Sequence, residues 1–177
     1  MDIPGLHKEN MQGTYKYAIL TVSTSRYGKY GSVDRPERAE DASGKLIWGM
    51  IQVQGSEVVH YELIPDDMEI IRVALKKCMY SDADVIIFTG GTGLSPADVT
   101  IESVTPYIEK EIPGFGELFR QKSTEQIGNA VMLTRAIAGV ARQKAIFCLP
   151  GSPNAVKLGL ELVLPEMGHI IKHIKGQ

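Results

Sequence analysis

The sequence predicts a three-layer α/β/α domain with a mostly parallel sheet and an antiparallel hairpin at its edge. Three observations predict it. Short apolar runs rich in valine and isoleucine recur at Tyr17–Ser23, Glu57–Ile64 and Val85–Phe88, as expected of strands covered on both faces. Amphipathic helical stretches alternate with them, which implies crossover connections and a parallel sheet. Late in the chain, Ala136–Val140 and Ala145–Leu149 stand close together around Arg142-Gln143, the spacing of a hairpin.

In chain order, residues 1–16 read as a polar N-terminal extension and residues 17–177 as one domain. After the first strand, Thr24 to Asp41 is polar, with Gly28, Gly31 and Pro36. Its length suits a functional flap or a disordered loop. Lys45–Gln54 has helical spacing through Leu46, Ile47, Met50, Ile51 and Val53, with Asp41 or Ser43 as its cap. Asp67–Tyr80 is a second amphipathic helix, with Ile70, Ile71, Ala74, Leu75 and Cys78 apolar. Two helices follow the third strand, about 99–110 and 116–126, separated by a break at Pro113-Gly114. A final helix runs from about Asn154, with a bend at Pro165.

A chain of 177 residues buries a sizeable core without disulfides or structural metal. Its 19 basic and 21 acidic side chains leave no net cationic face, which argues against nucleic acid as a partner. Cys78 and Cys148 sit in apolar contexts without metal-ligand spacing, so they read as buried, reduced thiols in a cytoplasmic protein. Met1 to Tyr15 lacks the apolar core of a signal peptide. No apolar run approaches the roughly 20 residues of a membrane span.

Function is read from the loops that follow the strands, because ligands of open α/β sheets bind beyond the strands' carboxyl ends. The third strand runs into Thr89-Gly90-Gly91-Thr92-Gly93-Leu94-Ser95-Pro96-Ala97-Asp98. Glycines there permit positive φ and close approach of a ligand to the main chain. Ser95-Pro96 reads as a helix start, which would put Asp98 at the third helical position. A strand, a glycine loop and a helix N-terminus make an anion site. Ser23, Thr24 and Ser25 follow the first strand, Pro65, Asp66 and Asp67 the second, and Pro150-Gly151-Ser152-Pro153-Asn154 the last.

Each has a plainer reading. Asp66 stands three residues before Glu69, a capping arrangement; Asp98 complements a helix dipole; Ser152-Pro153 is itself a good cap. The convergence of four such loops carries the phosphate reading. Carboxylates beside phosphates need a shared cation, and Mg2+ suits one or two carboxylates plus phosphate oxygens. The pattern favours phosphoryl or nucleotidyl transfer.

Two nucleotide motifs are absent. There is no G-x-x-x-x-G-K-[ST], and Pro96 stands where a dinucleotide fingerprint needs its third glycine. His169 and His173 lie four apart without an acid or cysteine partner in the pattern, which reads as a solvated or subunit-facing helix surface. Arg26, Lys29, Arg35 and Arg38 read as a solvated loop rather than a phosphate clamp.

The run Thr89 to Thr100 resembles the signature of the MoaB/MogA family of molybdenum cofactor biosynthesis proteins, whose module also forms the gephyrin G domain. Further matches, in family order, are Ile19-Leu20-Thr21-Val22-Ser23, Asp41-Ala42-Ser43-Gly44, Leu63-Ile64-Pro65-Asp66, Pro113-Gly114-Phe115-Gly116-Glu117, Arg135-Ala136-Ile137-Ala138-Gly139-Val140 and Leu149-Pro150-Gly151-Ser152-Pro153. They span nearly the whole chain from Tyr17, and their details are most similar to the MoaB branch. The resemblance implies that molybdopterin is bound and adenylylated: its terminal phosphate attacks the α-phosphorus of ATP, with Mg2+, giving adenylyl-molybdopterin and pyrophosphate.

It assigns Asp66 and Asp98 to Mg2+ and to orienting the triphosphate. Thr89, Gly90, Gly91, Thr92 and Gly93 would cradle phosphates; Ser23, Pro150, Gly151, Ser152 and Pro153 would line the pterin and phosphate site, and Glu102 matches an acidic position of some members. It implies a homotrimer or homohexamer, other cofactor-biosynthesis proteins as partners, and molybdenum or tungsten as the final metal. The stretch Ser25 to Glu40 is longer than in many relatives and receives no role. The competing class is a binding module or oligomeric scaffold, which would keep the glycine loops without needing paired aspartates.

Overall fold

The computed structural model describes residues 13–177; the expectations for the polar extension and the signal-peptide region before Gly13 lie outside the described residues. Six strands form one sheet: β1 (Lys16–Val22), β2 (Glu57–Ile64), β3 (Val85–Thr89), β4 (Lys110–Glu111), β5 (Ile137–Ala141) and β6 (Lys144–Leu149). Their order is β2-β1-β3-β6-β5-β4. β2, β1, β3 and β6 are parallel, while β5 and β4 continue the sheet antiparallel. The β5–β6 turn holds Arg142 and Gln143 at φ 49° and 58°, the doubly positive geometry that matches the twist of a hairpin.

Among the described residues, seven α-helices pack around it: α1 (Thr24–Tyr30), α2 (Ala42–Val53), α3 (Met68–Met79), α4 (Thr100–Val104), α5 (Pro113–Ile127), α6 (Pro153–Val163) and α7 (Met167–Ile174). The alternation of strand side chains builds two cores. Tyr17, Ile19, Ile87 and Phe147 face α2, α5, α6 and α7 through Ile47, Ile51, Phe119, Val156, Leu160 and Ile171. Ala18, Leu20, Val22, Ile86, Phe88 and Cys148 face α3 and α4 through Ile71, Leu75, Cys78 and Val104. Both cysteines are buried and free.

Several elements depart from expectation. The stretch after β1 is ordered, against the disordered alternative: α1 is capped by Ser23 and closed by Gly31 at φ 67°, and a 3-10 turn follows at Pro36–Ala39. Its basic residues are largely engaged: Lys29 pairs with Glu40, Arg38 with Asp34, and Arg35 stacks on Trp48. The helix expected over 99–110 stops at Val104 and relaxes into a 3-10 turn, Thr105–Tyr107, that contains Pro106. Pro113-Gly114 does not break a helix but starts one, with Pro113 in its first turn where a missing N–H costs nothing. The C-terminal helix divides at the Pro165 turn into α6 and α7.

The strand order reverses at β1. The chain leaves β1 for β2 on one side and returns as β3 on the other, and the connections after β1 and β3 run first to opposite faces of the sheet, α2 on one and α4 on the other. Such a switch point opens a crevice at the carboxyl edge of the sheet.

Candidate active site

The crevice is floored by backbone. Gly90 leaves β3 at φ 95°, and a Cβ there would collide with the Val22 carbonyl oxygen. Its N–H donates to the Leu149 carbonyl at 3.0 Å, and its α-carbon lies 3.1 Å from where a Cβ on Gly151 would stand. The loops after β1, β3 and β6 therefore meet main chain to main chain, a contact only glycine allows. Hydroxyls fasten the edges. Thr89 Oγ1 donates to the Pro150 carbonyl at 3.3 Å, Thr100 Oγ1 to the Gly90 carbonyl at 2.9 Å, and Ser43 Oγ to the Gly151 carbonyl at 2.8 Å.

Ser43 is held by the Asp41 cap of α2. Asp41, 1% exposed, accepts hydrogen bonds from Thr21 Oγ1, Tyr61 OH and the Gly44 N–H. Burial and the adjacent Asp41 carboxylate push the Tyr61 phenol upward, keeping it a neutral donor.

Both predicted aspartates press on the glycine loop. A Cβ on Gly91 (φ 61°) would stand 2.7 Å from Asp66 Oδ1 and 2.5 Å from Thr100 Oγ1; one on Gly93 would stand 2.7 Å from Asp98 Oδ2. The two contact points are two residues apart on the chain, a reach of at most about 7 Å. Asp66 does not cap α3: that task falls to Asp67, whose Oδ1 accepts from the Glu69 and Ile70 N–H groups at 3.0 Å. Instead Asp66 Oδ2 accepts from the Thr24 N–H at 2.9 Å and the Thr24 hydroxyl at 2.8 Å. Asp98 is not helical either. The expected helix at Ser95-Pro96 is a turn, in which Asp98 Oδ2 accepts the Ser95 N–H at 3.1 Å, and α4 begins only at Thr100.

The remaining predicted residues sort as follows. The N–H groups of Gly91, Thr92, Gly93 and Leu94 find no acceptor among the described residues. Ser23 caps α1, accepting from the Arg26 N–H at 3.4 Å, and Ser152 caps α6, accepting from the Ala155 N–H at 3.3 Å with Pro153 next in line. The Ser152 hydroxyl keeps its own proton for another acceptor, while Ser23 Oγ also lies 3.4 Å from Ser25 Oγ. Glu102 is engaged elsewhere. Arg135 binds it through two nitrogens, the shorter contact 2.5 Å, and donates its Nε–H to the Thr92 carbonyl at 3.0 Å. The Arg135 hydrogen bond holds the Glu102 carboxyl below its ordinary range.

Thr100, Ser43 and Arg135 thus shape the site without having been given a role in it, and Thr24, named only as one of three hydroxyl residues after the first strand, anchors Asp66. Thr24 carries a readable signal, a hydroxyl directly after a strand. The partners of Arg135 lie more than 30 residues upstream, and no local pattern announces them.

Main-chain N–H groups without an acceptor among the described residues, two serine-capped helix starts and a pair of half-buried carboxylates meet at the topological switch point of an α/β sheet, the place where such folds bind ligands. The comparisons with known proteins agree. The family described as "Probable molybdopterin binding domain" matches residues 18–169, and the chain belongs to that family.

It is 44% identical over 173 residues to the Molybdopterin adenylyltransferase of Pyrococcus furiosus, covering 96% of each chain. It is 38% identical over 172 residues to Molybdenum cofactor biosynthesis protein B of Bacillus subtilis, covering 96% of this chain and 95% of the relative. Among solved structures, the tungsten cofactor synthesizing protein MoaB of Pyrococcus furiosus superposes with a TM-score of 0.80 at 43% identity, covering 92% of this chain and 98% of that one. The expected fold class stands, antiparallel edge included.

Proposed function

We propose that this chain acts in molybdenum or tungsten cofactor biosynthesis as a molybdopterin adenylyltransferase. The observation that carries the reading is the pair Asp66 and Asp98, both set against one glycine loop whose N–H groups are free and neither used as a helix cap. The homology to a protein named molybdopterin adenylyltransferase supplies the substrate class.

The donor set fits Mg2+. Two carboxylates approach the loop, and no group of three or more His, Cys, Asp or Glu side chains suited to a metal occurs among the described residues. Mg2+ favours few protein ligands completed by water and phosphate oxygens. Asp66, through Oδ1, and Asp98 would hold it; when bound, it neutralises charge building on the triphosphate.

The chain's own residues do the rest. Thr24 fixes Asp66 through two donors, leaving the other carboxylate oxygen toward Gly91. The Gly91–Leu94 N–H groups receive phosphate oxygens, and Ser23 and Ser152 offer hydroxyl protons to the substrate. Arg135 pins the Thr92 carbonyl away from that position. A terminal phosphate oxygen of molybdopterin forms the new bond to the α-phosphorus of ATP as the bond to the β-phosphate oxygen breaks, and the electron pair leaves with pyrophosphate. The nucleophile is the substrate's, so the protein supplies position and charge rather than a base.

No described helix is long and apolar enough to cross a membrane. We further read residues 17–177 as a single domain that works in the cytoplasm as a homotrimer or homohexamer.

The test is adenylyl transfer from ATP to molybdopterin with Mg2+, in the wild type and in Asp98→Asn and Asp66→Asn. Product that depends on Mg2+ and is lost in either variant, with molybdopterin still bound, is expected. Molybdopterin bound without product in the wild type would move the chain to the binding-module class.

A further inference from the structure

The i, i+4 spacing of His169 and His173 allows a metal, although no acid or cysteine partner accompanies them in the sequence, and the structure brings their rings together. They lie one turn apart on α7, both exposed, with Nε2 to Nε2 at 3.0 Å, ring centroids 4.3 Å apart and planes inclined by 75°. Two ligand nitrogens at right angles about a metal, each at about 2.1 Å, are separated by √2 times that distance, about 3.0 Å; a tetrahedral bite would need about 3.4 Å. The observed 3.0 Å matches the right-angled bite and is also the length of a ring-to-ring hydrogen bond.

We propose that His169 and His173 form a bidentate site for a divalent transition-metal ion of the copper(II) or nickel(II) class. Tetragonal geometry with imidazole ligands selects those ions, and copper stands above nickel and zinc in intrinsic affinity. A helix presents side chains four apart on one face, so a small rotation of the two rings, with no backbone adjustment, directs both Nε2 atoms at one ion. The remaining coordination positions face solvent and take water. Binding needs both Nε2 atoms unprotonated, so the one proton that bridges them moves to a ring Nδ1.

The nearby cations do not occupy the pair: Lys175 is drawn to Asp84 at 2.9 Å, and Lys172 points its charge from an exposed position. Asp84 precedes β3, at the end of the sheet opposite the glycine loop, so this site is separate from the nucleotide crevice.

The test is titration of the EDTA-treated full chain with CuCl2 and NiCl2 by calorimetry, with paramagnetic resonance of the copper form. One ion per chain, hyperfine coupling to two imidazole nitrogens, and at least a tenfold loss of affinity in each of His169→Gln and His173→Gln are expected. Glutamine preserves helix propensity, and an unchanged melting curve for the metal-free variants excludes unfolding as the cause of the loss. His60, which faces Glu62, is the control: His60→Gln should bind as the wild type does. Wild-type affinity in either α7 variant, a single-nitrogen spectrum, or loss in His60→Gln would overturn the proposal.

Discussion

Gly91→Ala separates the phosphate crevice from a merely glycine-rich turn. The new methyl must stand at φ 61°, 2.5 Å from Thr100 Oγ1, 2.7 Å from Asp66 Oδ1 and 3.1 Å from Val22 Cγ1. A left-handed alanine costs about 1–2 kcal/mol, and loss of the Thr100 bond to the Gly90 carbonyl costs about 1 kcal/mol. Reduced freedom of the unfolded chain returns about 0.5 kcal/mol. The net is about 2 kcal/mol, or a fall in Tm of about 4–8 °C for a chain of this size.

The catalytic cost is larger than the stability cost, because the methyl displaces the Asp66 carboxylate. Moving a positioned group by up to an ångström costs up to about 100-fold in rate. The comparison is Gly55→Ala: Gly55 has φ 74°, with nothing within 4 Å of the added methyl. It carries the backbone strain without the collision. Melting curves and adenylyl transfer at 25 °C, well below either Tm, read the two effects apart. A Gly91→Ala protein that melts with Gly55→Ala and turns over like the wild type would refute the placement of Asp66 against the loop.

Arg135→Ala should release both the Thr92 carbonyl and Glu102, reducing turnover at least tenfold in the same assay. Glu102 has a lowered folded-state pKa, so its contribution to stability is complete above its ordinary 4.5 and is lost as pH falls through the lowered value. With its side chain 44% exposed, that contribution is below about 1 kcal/mol; urea melts of wild type and Arg135→Ala should therefore converge as pH falls below about 4.5. Ser43→Ala should raise KM for the phosphorylated substrate several-fold while leaving Tm within a few degrees, since one hydrogen bond to the Gly151 loop is removed; Ser43→Thr should restore it. Burial pushes the Cys78 thiol up to about 12 and raises Cys148 further, so a thiol reagent at pH 8 should label neither until denaturant is added.

The strands and the helices α2 and α3 were legible because burial writes a period into their residues. Ile47 and Ile51, or Ile71, Ala74, Leu75 and Cys78, recur at helical spacing and all end up buried. Helix α1 was not legible for the same physical reason: none of its seven residues is buried, so it has no apolar stripe to announce it. Pro113 was misread because a proline that follows one helix and a proline in the first turn of the next look alike until the end of the preceding helix is known, and α4 already ends at Val104. Within the site, adjacent acids defeated spacing arguments. The three-residue spacing from Asp66 to Glu69 pointed to Asp66 as the cap, whereas the helix starts one residue later on Asp67, and Asp66 turns to Thr24 instead. The family signature located the loop but not the Arg135 clamp, which joins segments distant in sequence.

The clasp of Gly90 between Val22 and Gly151 bears on entropy. A phosphate arriving at this loop meets donors that carry no rotamers and whose backbone was ordered when the sheet formed. Each flexible side chain recruited for the same purpose would surrender about 0.5–1.5 kcal/mol on binding. The cost of order is met during folding, in the burial of β1, β3 and β6, and is not charged again to the ligand. If the loop binds phosphate as proposed, side chains around the rim, such as the exposed Leu94, would be free to change with the rest of the ligand while the backbone donors stay constant.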